Sequence, residues 1–197
     1  SCNTGTGDTD IPFCVDQGNL SLSSGSKLIV WTGKTFTPGG SVALTSSSNS
    51  SNPDGDLRIE ASSVLSMGLN PLTIGGDFTN LGTLTVSSGQ ESIFTASSSG
   101  HVIDNGTGAF YHMIFDRSGG GYSFSDASNT LDGDLTIKAG TLTAPSTNLT
   151  LGGSFLNQGT FTHNSGTLTF TSSSSQSSLD PGGSPLNNLT LNNSSGT

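Results

Sequence analysis

The chain has 197 residues, 10% of them charged and 30% hydrophobic, with a formal net charge of −9. Five Lys and Arg residues cannot form the basic patch that nucleic acid or an anionic membrane surface requires, so neither partner is expected. No apolar run approaches the roughly 20 residues that span a bilayer, which argues against membrane insertion.

Short runs of β-branched and aromatic residues alternate with polar residues along most of the chain and are bounded by Gly, Asn, Asp and Ser. Such runs are typical of strands and turns, whereas the abundant Ser, Thr and Gly are weaker helix formers than Ala or Leu. The sequence therefore predicts an all-β fold.

Residues 1–27 depart from this pattern and contain the only two cysteines, Cys2 and Cys14. Two cysteines close together predict a disulfide and an oxidising compartment, with a pair of reduced thiols as the alternative. Because a stack of strands needs a cover at its open end, the segment is interpreted as an N-terminal cap. No signal peptide precedes Ser1, so we expect a mature chain from which it was removed, or a fragment.

Residues 28–197 are predicted to form a parallel β-solenoid, because the sequence repeats itself at two levels. Residues 56–120 align with residues 134–196 at an offset of 76 to 78, and Leu72–Phe78 recurs as Leu149–Phe155. Strand-bearing segments recur within each long repeat at about 19 residues, which predicts about ten stacked coils of that length. The alternative is a pair of tandem β-sandwich domains, which gives no reason for the shorter period.

Alternation within the predicted strands assigns the apolar residues to the inside of the coils. The residues expected to point inward are Phe78, Leu84, Phe115, Leu135, Leu142, Phe155, Phe161, Leu168 and Leu189.

Three stretches carry a resemblance: GKTFTPGGSVAL, LTLGGSFLNQGTFTHNSGTLTF and PLNNLTLNNSSGT. They resemble the Ser/Thr/Asn-rich strand repeats of large bacterial surface and secreted proteins, both adhesin-like and filamentous-haemagglutinin-like. The resemblance implies an extracellular or cell-surface location and a structural or adhesive role. It transfers no functional residues.

Candidate catalytic and metal-binding residues are few. His101, His112 and His163 are expected in different coils, and none accompanies a nucleophile signature such as G-x-S-x-G, so neither an enzyme nor a cofactor is expected. Two Asp-Gly-Asp motifs, whose acidic residues are Asp54, Asp56, Asp132 and Asp134, are interpreted as tight turns. Calcium binding is the weaker alternative, because no Asp-rich loop surrounds them.

The outward threonines of the Thr-x-Thr motifs resemble the ice-binding faces of some β-helical antifreeze proteins, and this resemblance implies an alternative function as a carbohydrate- or ice-binding module. Thr141/Thr143 and Thr160/Thr162 are separated by one predicted coil length and should stack on adjacent coils. Thr83/Thr85 is expected three coils earlier, with other residue types between, so the array is broken. Surface glycans are the partners that such a face implies.

The C-terminal segment shows no equivalent of the N-terminal cap. Leu186, Leu189 and Leu191 are expected to form an exposed edge, which needs either neighbouring repeats or another copy to cover it. End-to-end self-association is therefore the predicted assembly.

Overall fold

The computed structural model describes residues 18–46, 54–172 and 177–193. The predicted disulfide of Cys2 and Cys14 lies outside the described residues. The described regular structure consists of strands, without helices. In chain order the strands are β1 (Leu20–Leu22), β2 (Lys27–Val30), β3 (Thr35–Phe36), β4 (Val42–Leu44), β5 (Asp56–Ile59), β6 (Val64–Gly68), β7 (Leu72–Ile74), β8 (Phe78–Asn80), β9 (Thr83–Val86), β10 (Glu91–Phe94), β11 (His101–Asp104), β12 (His112–Phe124), β13 (Ser128–Leu131), β14 (Leu135–Thr143), β15 (Asn148–Leu151), β16 (Phe155–Asn157), β17 (Thr160–Thr162), β18 (Thr167–Phe170), β19 (Leu179–Asp180) and β20 (Asn188–Leu191).

The strands stack on three faces, and every pairing between them is parallel. The first face runs through β1, β4, β7, β10, the start of β12, the start of β14, β16 and β19. The second runs through β2, β5, β8, β11, the ends of β12 and β14, and β17. The third comprises β3, β6 and β9 and, further along, β13, β15, β18 and β20. The predicted parallel β-solenoid is confirmed, and the sandwich alternative is wrong.

The solenoid makes about eight turns, since the first face has eight strand positions. The coil spacing is about 21 residues, as the pairings Met113↔Leu135 and Leu142↔Phe161 illustrate. The typical coil is thus slightly longer than predicted, and there are fewer coils than the predicted ten. One coil is longer still, because Val42 pairs with Leu72. Among the described residues, strand pairing begins at Leu20, inside the range predicted to be a cap.

Two long strands turn from the first face to the second. β14 does so at Gly140, whose φ of 85° lies in the left-handed region that glycine adopts without strain. In β12 the pairing register shifts between Phe115 and Gly121, and Gly119 has a φ of 84°. These bends make the first and second faces one continuous 13-stranded sheet.

The core is a single apolar column filled from all three faces. Eight of the nine residues predicted to point inward are buried, and the exception, Leu189, lies on the last described coil. Aromatic rings fill the middle coils, where Phe94 stacks on Phe115 with ring centroids 5.0 Å apart. Beside them the Tyr122 hydroxyl accepts from Ala96 N at 3.0 Å and donates to Ile74 O at 3.1 Å. Burial raises the pKa of this hydroxyl, so it stays protonated and holds three coils together.

The long sequence repeat does not coincide with a whole number of coils. Leu57 lies on the second face, but its counterpart Leu135 lies on the first. Leu72 lies on the first face, and its counterpart Leu149 lies on the third. At the observed coil length the long repeat takes up three whole coils and about two-thirds of a fourth, so each long repeat is rotated by one face from the previous one.

Candidate functional site

The Asp-Gly-Asp motifs lie at corners of the coil. Asp56 Oδ1 accepts a hydrogen bond from Asp77 N at 2.8 Å, and Asp134 Oδ1 accepts one from Ser154 N at 2.7 Å. Each bond joins a carboxylate to the backbone of the following coil, so these residues stabilise the stack. No group of three or more His, Cys, Asp or Glu within the described ranges is arranged to hold a metal ion.

The other two acidic residues of the motifs differ in environment. Asp54 is buried and accepts from Gly25 N at 2.9 Å, whereas Asp132 is exposed. Gly55 has a φ of 82°, as a tight turn requires, and fits the turn interpretation.

One corner brings together three side chains that support proton-transfer chemistry. We call Asp77, Ser98 and His101 the histidine corner. His101 Nδ1 lies 3.1 Å from Asp77 Oδ1, and His101 Nε2 lies 3.1 Å from Ser98 Oγ. The three residues come from two successive coils, Asp77 preceding β8 and Ser98 preceding β11.

The hydrogen-bond partners fix the tautomer of His101. The pKa of Asp77 is lowered, chiefly by its hydrogen bond to His101, and the bond from Val102 N at 3.0 Å adds to the effect. An ionised carboxylate only accepts hydrogen bonds, so His101 Nδ1 carries the proton and donates it. In the neutral imidazole, His101 Nε2 carries no proton and accepts a hydrogen bond from the Ser98 hydroxyl. The imidazole ring also lies against Tyr122, with centroids 5.5 Å apart.

The other two histidines lack this combination. His112 Nδ1 accepts from Asp134 N at 2.9 Å and lies 3.3 Å from Asp134 Oδ2, without a serine hydroxyl among its described partners. His163 Nδ1 accepts from the backbone N of Ser165 at 2.9 Å. Sequence analysis missed the histidine corner, because its residues are brought together only when the coil length is known.

A second candidate surface is a threonine ladder on the third face. Thr130 pairs in register with Thr150, Thr150 with Thr169, and Thr169 with Thr190, over four successive coils. A parallel rank at the neighbouring outward position consists of Ser128, Asn148, Thr167 and Asn188. Asn148 links the two ranks, since its Nδ2 donates to Thr150 Oγ1 and its Oδ1 accepts from Thr169 Oγ1, both at 2.7 Å.

The sequence prediction located only part of the threonine array. Thr141 pairs with Thr160 and Thr143 with Thr162 on the second face, as predicted. Thr83 and Thr85 lie in β9 on the third face, so their placement in the same array is wrong. The four threonines of the ladder are nearly equally spaced in the sequence, and this spacing could have predicted the ladder. The Thr-x-Thr motif alone does not reveal it, because the first two coils there have Ser-x-Thr and Asn-x-Thr.

The edge predicted from Leu186, Leu189 and Leu191 lies on the last described coil. Leu186 packs partly against the core, whereas Leu189 is 44% exposed and Leu191 70% exposed. Beneath this coil a depression lined by Phe161, Leu168 and Leu186 has room for no more than about one water molecule.

Comparison with known proteins assigns no function to this chain. Within the described ranges there is no helix that could cross a membrane. The chain matches no family model, and comparison with curated proteins and with solved structures found no match.

Proposed function

We propose that this chain is a structural or adhesive repeat segment of an extracellular surface or fibre. The observation that supports it is the continuous parallel stack, in which each coil is stabilised by the coils on either side. Such a stack forms a rigid spacer, about 4.8 Å longer with each added coil. The resemblance to bacterial adhesin-like and filamentous-haemagglutinin-like repeats supports the same role and an extracellular location.

The partner that fits this fold is a further coil of the same kind, from a neighbouring repeat or a second copy. On the third face, backbone N–H groups donate to the preceding coil: Thr167 N donates to Thr147 O, and Asn192 N donates to Phe170 O. Alternation along a strand directs the N–H groups of Leu189 and Leu191 the opposite way, toward the side of β20 that no described strand covers. Together with the two exposed leucine side chains, these donors form an edge that another coil can extend.

Light scattering over a concentration series tests this edge. The average molar mass of the wild-type chain is expected to rise with concentration. The Leu191→Lys variant, which carries a charge on the edge, should stay monomeric. Leu189→Pro should act in the same way, because it removes a donor that faces away from β18.

Thr160→Lys is the matched control, since Thr160 is an exposed strand residue on the second face. It should associate like the wild type. A wild-type chain that stays monomeric at every concentration would contradict the assembly proposal. Equal association of Leu191→Lys and Thr160→Lys would place the contact elsewhere.

The location is tested separately, on intact cells that express the full gene. Antibody raised against the chain should label their surface or the surrounding medium, and protease added outside should remove the label. Signal obtained only after the cells are broken would contradict an extracellular role.

A second candidate function, binding to ice or a crystalline polysaccharide, is supported by the threonine ladder. Its side chains repeat about every 4.8 Å between coils and belong to two ranks about 6.7 Å apart along each strand. Because Asn148 holds two of the hydroxyls, the array is ordered before a ligand arrives.

Partition into growing ice and co-sedimentation with insoluble polysaccharide test this second function. Thr150→Lys should abolish binding, whereas Thr160→Lys on the second face should retain it. If the wild-type chain is excluded from ice and stays in the supernatant with polysaccharide, the threonine ladder is only an ordinary outward strand surface.

A further inference from the structure

The histidine corner exists in only one of the two long repeats. The register pairs Phe78 with Ile103 in the first repeat and Phe155 with Leu179 in the second. The positions of Asp77 and His101 are therefore occupied by Ser154 and Ser177 in the second repeat. Ser154 Oγ accepts from Ser178 N at 3.0 Å, as Asp77 Oδ1 accepts from Val102 N. A serine thus suffices for the structural bond at this corner, and the fold alone does not explain an Asp–His pair.

We propose that Ser98 is a nucleophile, activated by His101 and positioned through Asp77, that accepts acyl groups from small activated esters. The proposal goes beyond the structural role and does not depend on it. The hydrogen-bond order Asp77–His101–Ser98 places a base on the hydroxyl and a carboxylate on the base, which is the arrangement that nucleophilic serine chemistry requires.

The substrate class follows from the shape of the corner. Ser98 is partly exposed, and a side chain added at Gly100 would meet no atom within 4 Å, so the corner is open to solvent. An open corner without a cleft selects little by shape, so small esters with good leaving groups fit it better than long substrates. Within the described residues, the backbone N–H groups of Ser99 and Gly100 have no acceptor, and such groups can stabilise a developing oxyanion.

The proposed reaction first acylates Ser98 and then hydrolyses the acyl group. The Ser98 oxygen bonds to the ester carbonyl carbon while its proton passes to His101 Nε2. The bond from that carbon to the leaving alkoxide or phenolate breaks, and the leaving group takes the proton from His101. Water then attacks the acyl group, passes its proton to His101, and the acyl–oxygen bond to Ser98 breaks as the serine regains that proton.

A fluorophosphonate probe and p-nitrophenyl acetate test the proposal on the full chain, with peptide mass spectrometry to locate the modified residue. Ser98 should be the labelled residue, and Ser98→Ala should abolish the label. His101→Gln removes the base and should slow labelling by about 100-fold or more. Asp77→Asn, whose amide can donate to Nδ1 and so shift the proton to Nε2, should slow it similarly.

Two matched controls separate activation from exposure. Ser88→Ala removes an exposed turn hydroxyl outside the histidine corner, and His112→Gln disrupts the other His–Asp pair. Both variants should label at the wild-type rate. Thermal unfolding of each variant identifies any loss of fold.

The proposal is overturned if Ser98 is labelled no faster than the exposed Ser87, or if His101→Gln leaves the rate unchanged while the chain remains folded. Failure here leaves the structural proposal intact, because that proposal rests on β20 and its own light-scattering test.

Discussion

The two long repeats show how the same sequence acquires different surroundings. Leu72–Phe78 and Leu149–Phe155 align residue for residue in spacing, and in both the apolar residues are buried. The first copy passes from the first face to the second, whereas the second copy passes from the third to the first. The sequence of a repeat therefore specifies strands and corners, whereas the number of preceding strands determines which face each strand occupies.

The ends of the two repeats differ in burial. Phe115 is 2% exposed, but Leu191, its counterpart, is 70% exposed. β14 covers the strand of Phe115, and β20 lacks such a neighbour among the described strands. A coil therefore has no core of its own, and an inward side chain is buried by the coil that follows.

The largest expected effect comes from truncating this matched pair. Phe115→Ala should lower the free energy of unfolding by about 3–5 kcal/mol, because it removes a buried ring that stacks on Phe94. Leu191→Ala should change it by less than about 1 kcal/mol, since the side chain is mostly exposed. Urea unfolding measures both. Similar losses in the two variants would show that Leu191 is covered in solution.

An intermediate effect is expected at a glycine that both repeats share. A Cβ added at Gly76 would overlap Asp56 Oδ1, and one added at Gly153 would overlap Asp134 Oδ1. Gly76→Ala and Gly153→Ala should each cost about 1–3 kcal/mol by overpacking, although the two corners lie between different faces.

Ser88→Ala, at an exposed turn, is the control for these glycine variants and should stay within about 0.5 kcal/mol of the wild type. A large cost at one glycine and none at the other would mean that the corners are not equivalent.

The smallest expected effect is a pH dependence confined to the first repeat. Because the pKa of Asp77 is lowered in the folded chain, its ionised form stabilises the fold above the unfolded value of about 3.9. That stability is lost as pH falls through the lowered pKa. Asp77→Ser, which copies the second repeat, should be less stable than the wild type at pH 6, and the difference in stability should shrink as the pH falls below the unfolded value. A difference in melting temperature that is constant from pH 6 to pH 2 would argue against this linkage.

Strand alternation predicted the fold and most of the core, because apolar residues occupy every second position of a strand that has one buried face. Phe155 and Leu168 were placed inward on that basis, and both are buried. The coil length was underestimated because strand-bearing segments recur at about 19 residues, so that four of them fit one long repeat. Nothing in strand alternation states how many strands complete one turn, or that a repeat can end part-way around it.

The candidate sites could not be predicted without the number of residues in one coil. His101 and Asp77 belong to successive coils, and only the true coil length places them at one corner. The threonine ladder was overlooked for a related reason. One of its ranks consists of threonines, but the other mixes Thr with Ser and Asn, so the Thr-x-Thr motif does not recur from coil to coil. Sequence alone could predict outward threonines but not which of them share a surface.

The rotation of one long repeat against the next has a mechanical consequence. If every repeat ended on the same face, its longer corners and bulkier side chains would accumulate along one side and bend the rod. A third of a turn per repeat distributes them evenly, so three successive repeats return to the starting face with their asymmetries averaged. In a rod of many such repeats, each motif follows a slow spiral around the long axis instead of forming a single row.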